Sequence, residues 1–443
     1  MYWQRALPAA LALLTSLGCA SHSSVDRPLG RWTPELDAKA FHQVVGDRAP
    51  ELVVLLAFSG GGTRAAAFAY GVLQELADTE VMTSQGKRRL IQEIDAISSV
   101  SGGSFTSTYF ALHGEGIFHD FEERFLRQNV EGALVGELLK PTNWFRMMSG
   151  KYGRGDLAAR YYSKHIFDGA TFAAVDRPEA PFLVINTTDL GTGVRFPMVQ
   201  PFFSLICADH AGYPVSRAVA ASSAVPGVFN PITLESFSGT CDRENPPWLR
   251  DALADKASST HHEAEQIAAY LDKDERPWIH LVDGGISDNL GLRSFYDLVG
   301  LKGGLEEAFS GGGARPTRFL VISVDAHTDQ LPRWTLYNDA PSLFEVLAAV
   351  SDVQILRYDV DTVQIVRDSF RRWTQADGSS FHFIRVDFHA IEDQQERDFL
   401  DGIGTSFHLK DAEVDALISG ARKILRESPD FQDFVQRSQG SPR

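Results

Sequence analysis

The chain has 443 residues, a formal net charge of −16 and 44% hydrophobic residues. That length suits one large α/β domain with insertions, or two domains. The acidity argues against nucleic acid as a partner and against electrostatic docking on anionic lipid, and no interior run of eighteen apolar residues offers a membrane span.

Taken in order, the chain opens with an export pattern. Met1–Arg5 carries a positive charge, Ala6–Leu14 is a short apolar stretch, and Ser16-Leu17-Gly18 places small residues ahead of Cys19. Charge, length and cleavage chemistry predict a signal peptide over 1–18. Gly18-Cys19 resembles a bacterial lipobox, which implies acylation of Cys19, although Ser16 stands where leucine is usual. Ordinary cleavage and an uncleaved segment are the alternatives. Ala20 implies, by the same resemblance, sorting to the outer membrane. Residues 19–48 read as a polar tether, 49–425 as one domain and 426–443 as a tail.

Leu52–Phe58 is a near-continuous apolar run, the pattern of a strand buried on both faces of a parallel sheet. It stops at Ser59-Gly60-Gly61-Gly62-Thr63-Arg64. Phe68, Val72, Leu73 and Leu76 then predict a helix over 65–77, and a strand from Ile94 to Val100 completes a β-α-β unit. That strand halts at Ser101-Gly102-Gly103, and 105–113 reads as helix. Residues 114–180 form a helical, aromatic-rich insertion. Within it Trp144, Phe145, Met147 and Met148 are expected to pack in a core, a lip entering lipid being the second reading; the same pair of readings applies to Pro201–Leu205. Strands come next at 181–187 and, as its hairpin neighbour, 192–198. A small-residue helix spans 215–224, and 236–277 reads as a surface excursion. A strand at 278–282 is closed by Asp283-Gly284-Gly285. Residues 303–317 read as a loop, 318–324 as a strand, 342–358 and 412–427 as helices, with a strand at 381–388 between them.

Three small-residue corners therefore sit at strand ends, and in a parallel sheet those ends share one rim where ligands bind. Gly60, Gly61 and Gly62 lead into a helix whose first amides suit an oxyanion; no Gly-Lys-Ser/Thr comes after them to suggest a phosphate loop. Arg64 either fixes this loop through carbonyls or attracts an anionic headgroup. Ser101, flanked by Gly102 and Gly103, has the setting of a nucleophile elbow, with Ser99 in place of the usual first glycine. Asp283 is the leading base, provided that desolvation raises its pKa from near 4. The rival is a triad in which His327 is the base and Asp283 orients it; residue types leave the two open. His280 is expected to pack within the sheet. Cys207 and Cys241 either pair or remain free thiols. No spacing suggests a metal, and no cofactor is required.

SGGGTRAAAF, SVSGGS and VDGGISDNLG, in that order, resemble the signature blocks of the patatin-like phospholipases. VPGVFNP is similar to a fourth block, INTTDLGTGVRF to the strand before it, and IGTSFHL to a segment of bacterial members. The resemblance implies a three-layer α/β/α fold with a mainly parallel sheet and a Ser-Asp dyad at its C-terminal edge. It implies Ser101 as nucleophile, Asp283 as its only catalytic partner, and Gly60, Gly61 and Gly62 as oxyanion hole. The implied substrate is a phospholipid or related lipid ester, reached from a membrane anchor at Cys19. A neutral- or soluble-ester hydrolase and a catalytically silent binding protein are the alternatives. Oligomeric state is left open.

Overall fold

The computed structural model describes residues 25–37, 48–148, 152–256, 260–302, 305–309, 315–329, 333–336, 338 and 340–439. The signal segment and Cys19 lie outside these residues. Ten strands occur among them: β1 (Leu52–Phe58), β2 (Glu80–Thr83), β3 (Gly86–Arg89), β4 (Ile94–Val100), β5 (Phe182–Asp189), β6 (Arg195–Pro197), β7 (Ile232–Glu235), β8 (Trp278–Asp283), β9 (Arg318–Val324) and β10 (Ser380–Val386). The helices that matter below are α1 (Gly62–Asp78), α2 (Ser101–His113), α3 (Val130–Leu138), α4 (Pro141–Met148), α5 (Arg154–His165), α6 (Val215–Ser222), α7 (Leu343–Asp377), α8 (Asp411–Glu427) and α9 (Pro429–Gln439).

The main sheet runs β10-β9-β1-β4-β5-β8-β7, with β6 on β5; β2 and β3 form a separate hairpin. The five strands from β10 to β5 are parallel. β6, β7 and β8 join antiparallel. β1 is buried along its whole length, and alternation explains why: Val54, Leu56 and Phe58 enter one core, Val53, Leu55 and Ala57 the other. Helices α1 and α8 cover the first face through residues such as Leu73, Leu76, Val414 and Leu417. Val363, Val366 and Phe370 of α7 cover the second. The architecture is a three-layer α/β/α sandwich.

Several elements differ from expectation. Helix α1 begins at Gly62 rather than residue 65, and α2 at Ser101 rather than 105, so both small-residue corners are the helix starts themselves. The helix expected over 342–358 continues to Asp377, because Val363, Val366 and Phe370 extend its apolar stripe under the sheet. The tail contains α9, which buries Phe431 and Phe434. Residues 25–37 dock on the body instead of hanging as a tether: Leu29 N–H donates to Cys207 O at 2.7 Å and Trp32 N–H to Cys241 O at 3.0 Å. Cys207 and Cys241 form a disulfide with Cα atoms 5.6 Å apart. The 236–277 region is partly core, with Leu249, Ile267 and Tyr270 buried.

Candidate active site

Ser101 is the first residue of α2 and has a φ of +47°, in the left-handed region. Holding a non-glycine residue there costs on the order of 1–3 kcal/mol, so the surroundings must impose it. Its N–H donates to Ser222 Oγ at 2.8 Å, and Ser222 Oγ donates onward to Asn186 O at 2.7 Å. The turn is also tight: a Cβ on Gly102 would lie 2.0 Å from Gly62 O, and one on Gly103 2.7 Å from Ser59 O. Ser99 fits the elbow because its hydroxyl is satisfied, donating to Val184 O at 3.2 Å and accepting from Ser107 Oγ at 2.6 Å.

The glycine loop lies beside this corner. Gly61 and Gly62 have φ of +136° and +61°, conformations that glycine adopts without steric cost. Their amides have no backbone acceptor among the described residues, as expected at a helix start. Gly60 differs from the sequence expectation. Its N–H donates to Asn289 O at 3.1 Å, which removes it as a free donor. Its place is one of close approach, since a Cβ there would stand 2.7 Å from Asn289 Oδ1 and 3.3 Å from Ser101 Cβ.

Arg64 is 4% exposed and clamps the loop from behind, Nε donating to Ala326 O at 2.8 Å and Nη1 to Ile403 O at 2.6 Å. Burial pushes its pKa down to about 10, with Asp325 and Asp401 opposing. Of its two sequence readings the loop-fixing one matches this geometry; a buried guanidinium spent on two carbonyls does not reach a headgroup.

Asp283 arrives by a different route from the one expected. β8 runs antiparallel to β5, so its C-terminal end does not share the parallel rim by direction. Thr187 opposes Asp283 in that pairing, while Asn186 pairs with Val100 across β5 and β4. β8 therefore meets β5 only at its last residues and stops level with the serine corner. The carboxylate is buried, and desolvation pushes its pKa up to about 6, partly opposed by hydrogen bonds from the Gly285 N–H and the Ser101 side chain. The Gly285 bond spans 2.8 Å. Backbone bonds join this corner to the end of α6: Asp283 N–H donates to Ala224 O at 3.1 Å and Gly284 N–H to Ser222 O at 3.2 Å.

His327 is not among the groups that act on Asp283. Its N–H donates to Asp325 Oδ1 at 3.0 Å, and its ring interacts with Asp325 and Asp352. It comes after β9, on the far side of β1 from the serine corner, which favours the dyad. His280 is exposed, with Nδ1 2.9 Å from Thr233 Oγ1.

Three residues that sequence reasoning passed over hold the site together. Ser222 bridges the serine and aspartate corners. Asn186 accepts from Ser222 and donates through Nδ2 to Ser98 Oγ at 2.8 Å. Asn289 holds Gly60 and donates to Asp359 Oδ2 at 3.0 Å; burial pushes Asp359 up to about 8. Asn289 lies inside the VDGGISDNLG block, Asn186 inside INTTDLGTGVRF and Ser222 in the small-residue helix before VPGVFNP, so their neighbourhoods were visible while their bonding roles were not.

A cavity of about 450 Å³ opens on Ser101 and Gly62, walled by Leu134, Leu157, Phe229 and Phe407. Thr405 and Ser406 close one side, and Ser406 O accepts the Thr63 N–H at 2.9 Å. A second cavity, about 520 Å³, lies by Trp32, Trp248 and the Arg195–Asp297 pair and shares no wall with the first. No cluster of metal-ligating side chains occurs among the described residues.

The lip residues contradict the expected core packing. Trp144, Phe145 and Met148 are exposed, and Met147 is half-buried. Pro201, Phe203 and Leu205 are buried, as core packing requires.

Fold and corner together define an α/β protein that carries a serine on a strand-to-helix turn beside a buried carboxylate. Residues 56–296 match the patatin-like phospholipase family, and the chain belongs to it; hydrolysis of lipid esters is its activity at that general level. Among solved structures, human GIVD cytosolic phospholipase A2 is similar with 13% identity and a TM-score of 0.46, over 94% of this chain and 68% of that one. The same human enzyme in complex with methyl gamma-linolenyl fluorophosphonate matches with 12% identity and a TM-score of 0.46, over 94% and 66%. No curated protein matches the chain.

Proposed function

We propose that the chain is a serine acyl hydrolase of phospholipase A or lysophospholipase type, with Ser101 as nucleophile and Asp283 as base. The observation that carries this reading is the buried Asp283 carboxylate beside a serine held in a strained conformation, the Ser101 side chain favouring the ionised carboxylate. Asp283 takes the hydroxyl proton as Ser101 Oγ bonds to the ester carbonyl carbon. The amides of Gly61 and Gly62 hold the oxyanion. Collapse breaks the ester C–O bond, the alcohol leaves with the proton from Asp283, and an acyl-enzyme remains. Water then attacks, giving its proton to Asp283; collapse frees the fatty acid, and Ser101 recovers its proton. A base with pKa near 6 suits this shuttle better than one near 4. The apolar cavity accommodates an acyl chain.

A fluorophosphonate probe tests the nucleophile. Wild type is labelled at Ser101 and Ser101→Ala is not; equal labelling of the two, or none of either, removes the enzyme reading and favours a silent binding protein. Profiling on phospholipids against triglyceride and short soluble esters separates the lipid reading from its neutral-ester alternative.

We also propose acylation of Cys19 and residence at the outer membrane, on the strength of the Gly18-Cys19 pattern. Mass spectrometry of the mature N-terminus is expected to find an acylated Cys19; an unmodified terminus elsewhere rejects it.

A further inference from the structure

Helices α3 and α4, and Leu139 between them, carry large apolar side chains that nothing among the described residues covers. Val135 is 52% exposed, Leu139 66%, Trp144 56%, Phe145 76% and Met148 72%. Aromatics elsewhere in the same insertion, Phe121, Phe125 and Tyr162, are completely buried, so within the insertion the exposed large apolar side chains gather in this patch. Helix α4 is in effect inside out. Its polar Asn143 is buried and donates to Glu137 O at 2.8 Å, whereas its aromatic residues face solvent. Trp144 is held in that orientation, its indole N–H donating to Leu138 O at 2.8 Å.

The patch is continuous with the mouth of the Ser101 cavity. Val135, itself part of the patch, and Leu138 line that cavity, as do Val225 and Val228, which are 40% and 47% exposed. Contiguous apolar surface of this kind marks an interaction site. Two features identify the occupant. A protein seated here would stop the mouth, whereas a lipid surface seated here supplies what enters it. The segment from Val130 to Met148 is also electrically neutral, Glu131 and Glu137 balancing Lys140 and Arg146, in a chain of net charge −16. It is thus suited to an apolar contact that needs no anionic lipid, with tryptophan at the level of the headgroups.

We propose that α3, α4 and the Val225–Val228 rim form a docking surface for a zwitterionic phospholipid bilayer, seating the mouth of the Ser101 cavity on the lipid. The inference rests on the acyl hydrolase reading for what passes through that mouth, but its test does not need turnover. Two full-length chains are compared, both carrying Cys19→Ser to exclude an acyl anchor and Ser101→Ala to prevent hydrolysis. One adds Trp144→Ser, Phe145→Ser and Met148→Ser, none of which lines the cavity.

In flotation with phosphatidylcholine vesicles the parent binds with little dependence on salt, and the triple variant partitions about tenfold less or weaker still. Matching thermal unfolding of the two chains establishes that both are folded. Equal flotation of the two, no flotation of the parent, or binding only to anionic vesicles overturns the proposal. A parent that light scattering finds dimeric, with a monomeric triple variant, assigns the patch to a second copy and also overturns it. With Ser101 restored, the triple variant keeps its turnover of a soluble short-chain ester and loses about tenfold on vesicles. Inactivity of the Ser101 chain on every ester removes the hydrolase reading and leaves the flotation result standing.

Discussion

The two halves of the site are built on different principles. The nucleophile half is local: β1, the glycine loop and α1, then β4, the Ser101 corner and α2, are consecutive parallel units, and their shape comes from small residues at two turns. The base half is assembled from distance. Asp283 ends a strand that runs against its neighbour, and it is set by its own N–H bond to Ala224 O just past α6 and by the Gly284 N–H bond to Ser222 O. Asn289 beside it leans on Asp359 of α7. The tight turn that presents the serine is specified within a few residues, with only its amide held from afar by Ser222, whereas a carboxylate must be carried to it and kept out of water. The joint between the halves is Ser222, whose hydroxyl serves one and whose carbonyl serves the other.

The largest effect should come from the base. Asp283→Asn keeps the size of the group but cannot accept the proton, and turnover should fall about 10⁴-fold or more. In wild type, kcat/KM should rise with pH through about 6, where Asp283 ionises, and stay flat to about pH 8. The same substitution reads the stability cost. Because the folded pKa is raised, the group's stabilisation is complete below about pH 4 and is lost as pH rises through about 6, a cost of up to about 3 kcal/mol. Asp283→Asn should therefore melt above wild type at about pH 8 and match it near pH 4. An acid limb far below 6, or no gain in stability, would contradict a desolvated base.

Next comes the joint. Ser222→Ala leaves the Ser101 amide without its acceptor, and kcat should fall about 10- to 100-fold with KM little changed. Ser222→Thr, which restores a hydroxyl, should recover part of the loss. A change in KM alone would mean that the two halves hold their geometry independently. The smallest effect is expected at His327. Its partners are Asp325 and Asp352, so His327→Ala should change turnover by less than about threefold; a loss comparable to that of Asp283→Asn would reinstate the triad.

Much of the nucleophile half was legible, because a strand ending in Gly-Gly-Gly or Ser-Gly-Gly leaves few conformations for the turn and the helix after it. Even there the legibility stopped at the level of single amides. Three glycines read as three equivalent donors, yet Gly60 is taken by Asn289 O, a partner some 230 positions away. For the base, the Asp-Gly-Gly corner was visible but the direction of its strand was not. An apolar run such as Trp278–Val282 pairs equally well either way until its neighbours are in place. Trp144, Phe145 and Met148 show the same limit from the other side, since composition alone assigns such residues to a core.

By itself, then, the sequence determined the pieces: the buried strands, the two turns that must be small, and a serine and an aspartate each placed at a strand end. Only the tertiary structure decided how they meet, turning β8 against β5, spending Arg64 on two carbonyls, joining the corners through Ser222 and leaving α4 with its aromatic face outward. The reason is physical. Turn and strand preferences are set within a few residues by sterics and burial, while pairing direction, amide partners and exposure depend on which distant surfaces arrive first to exclude water.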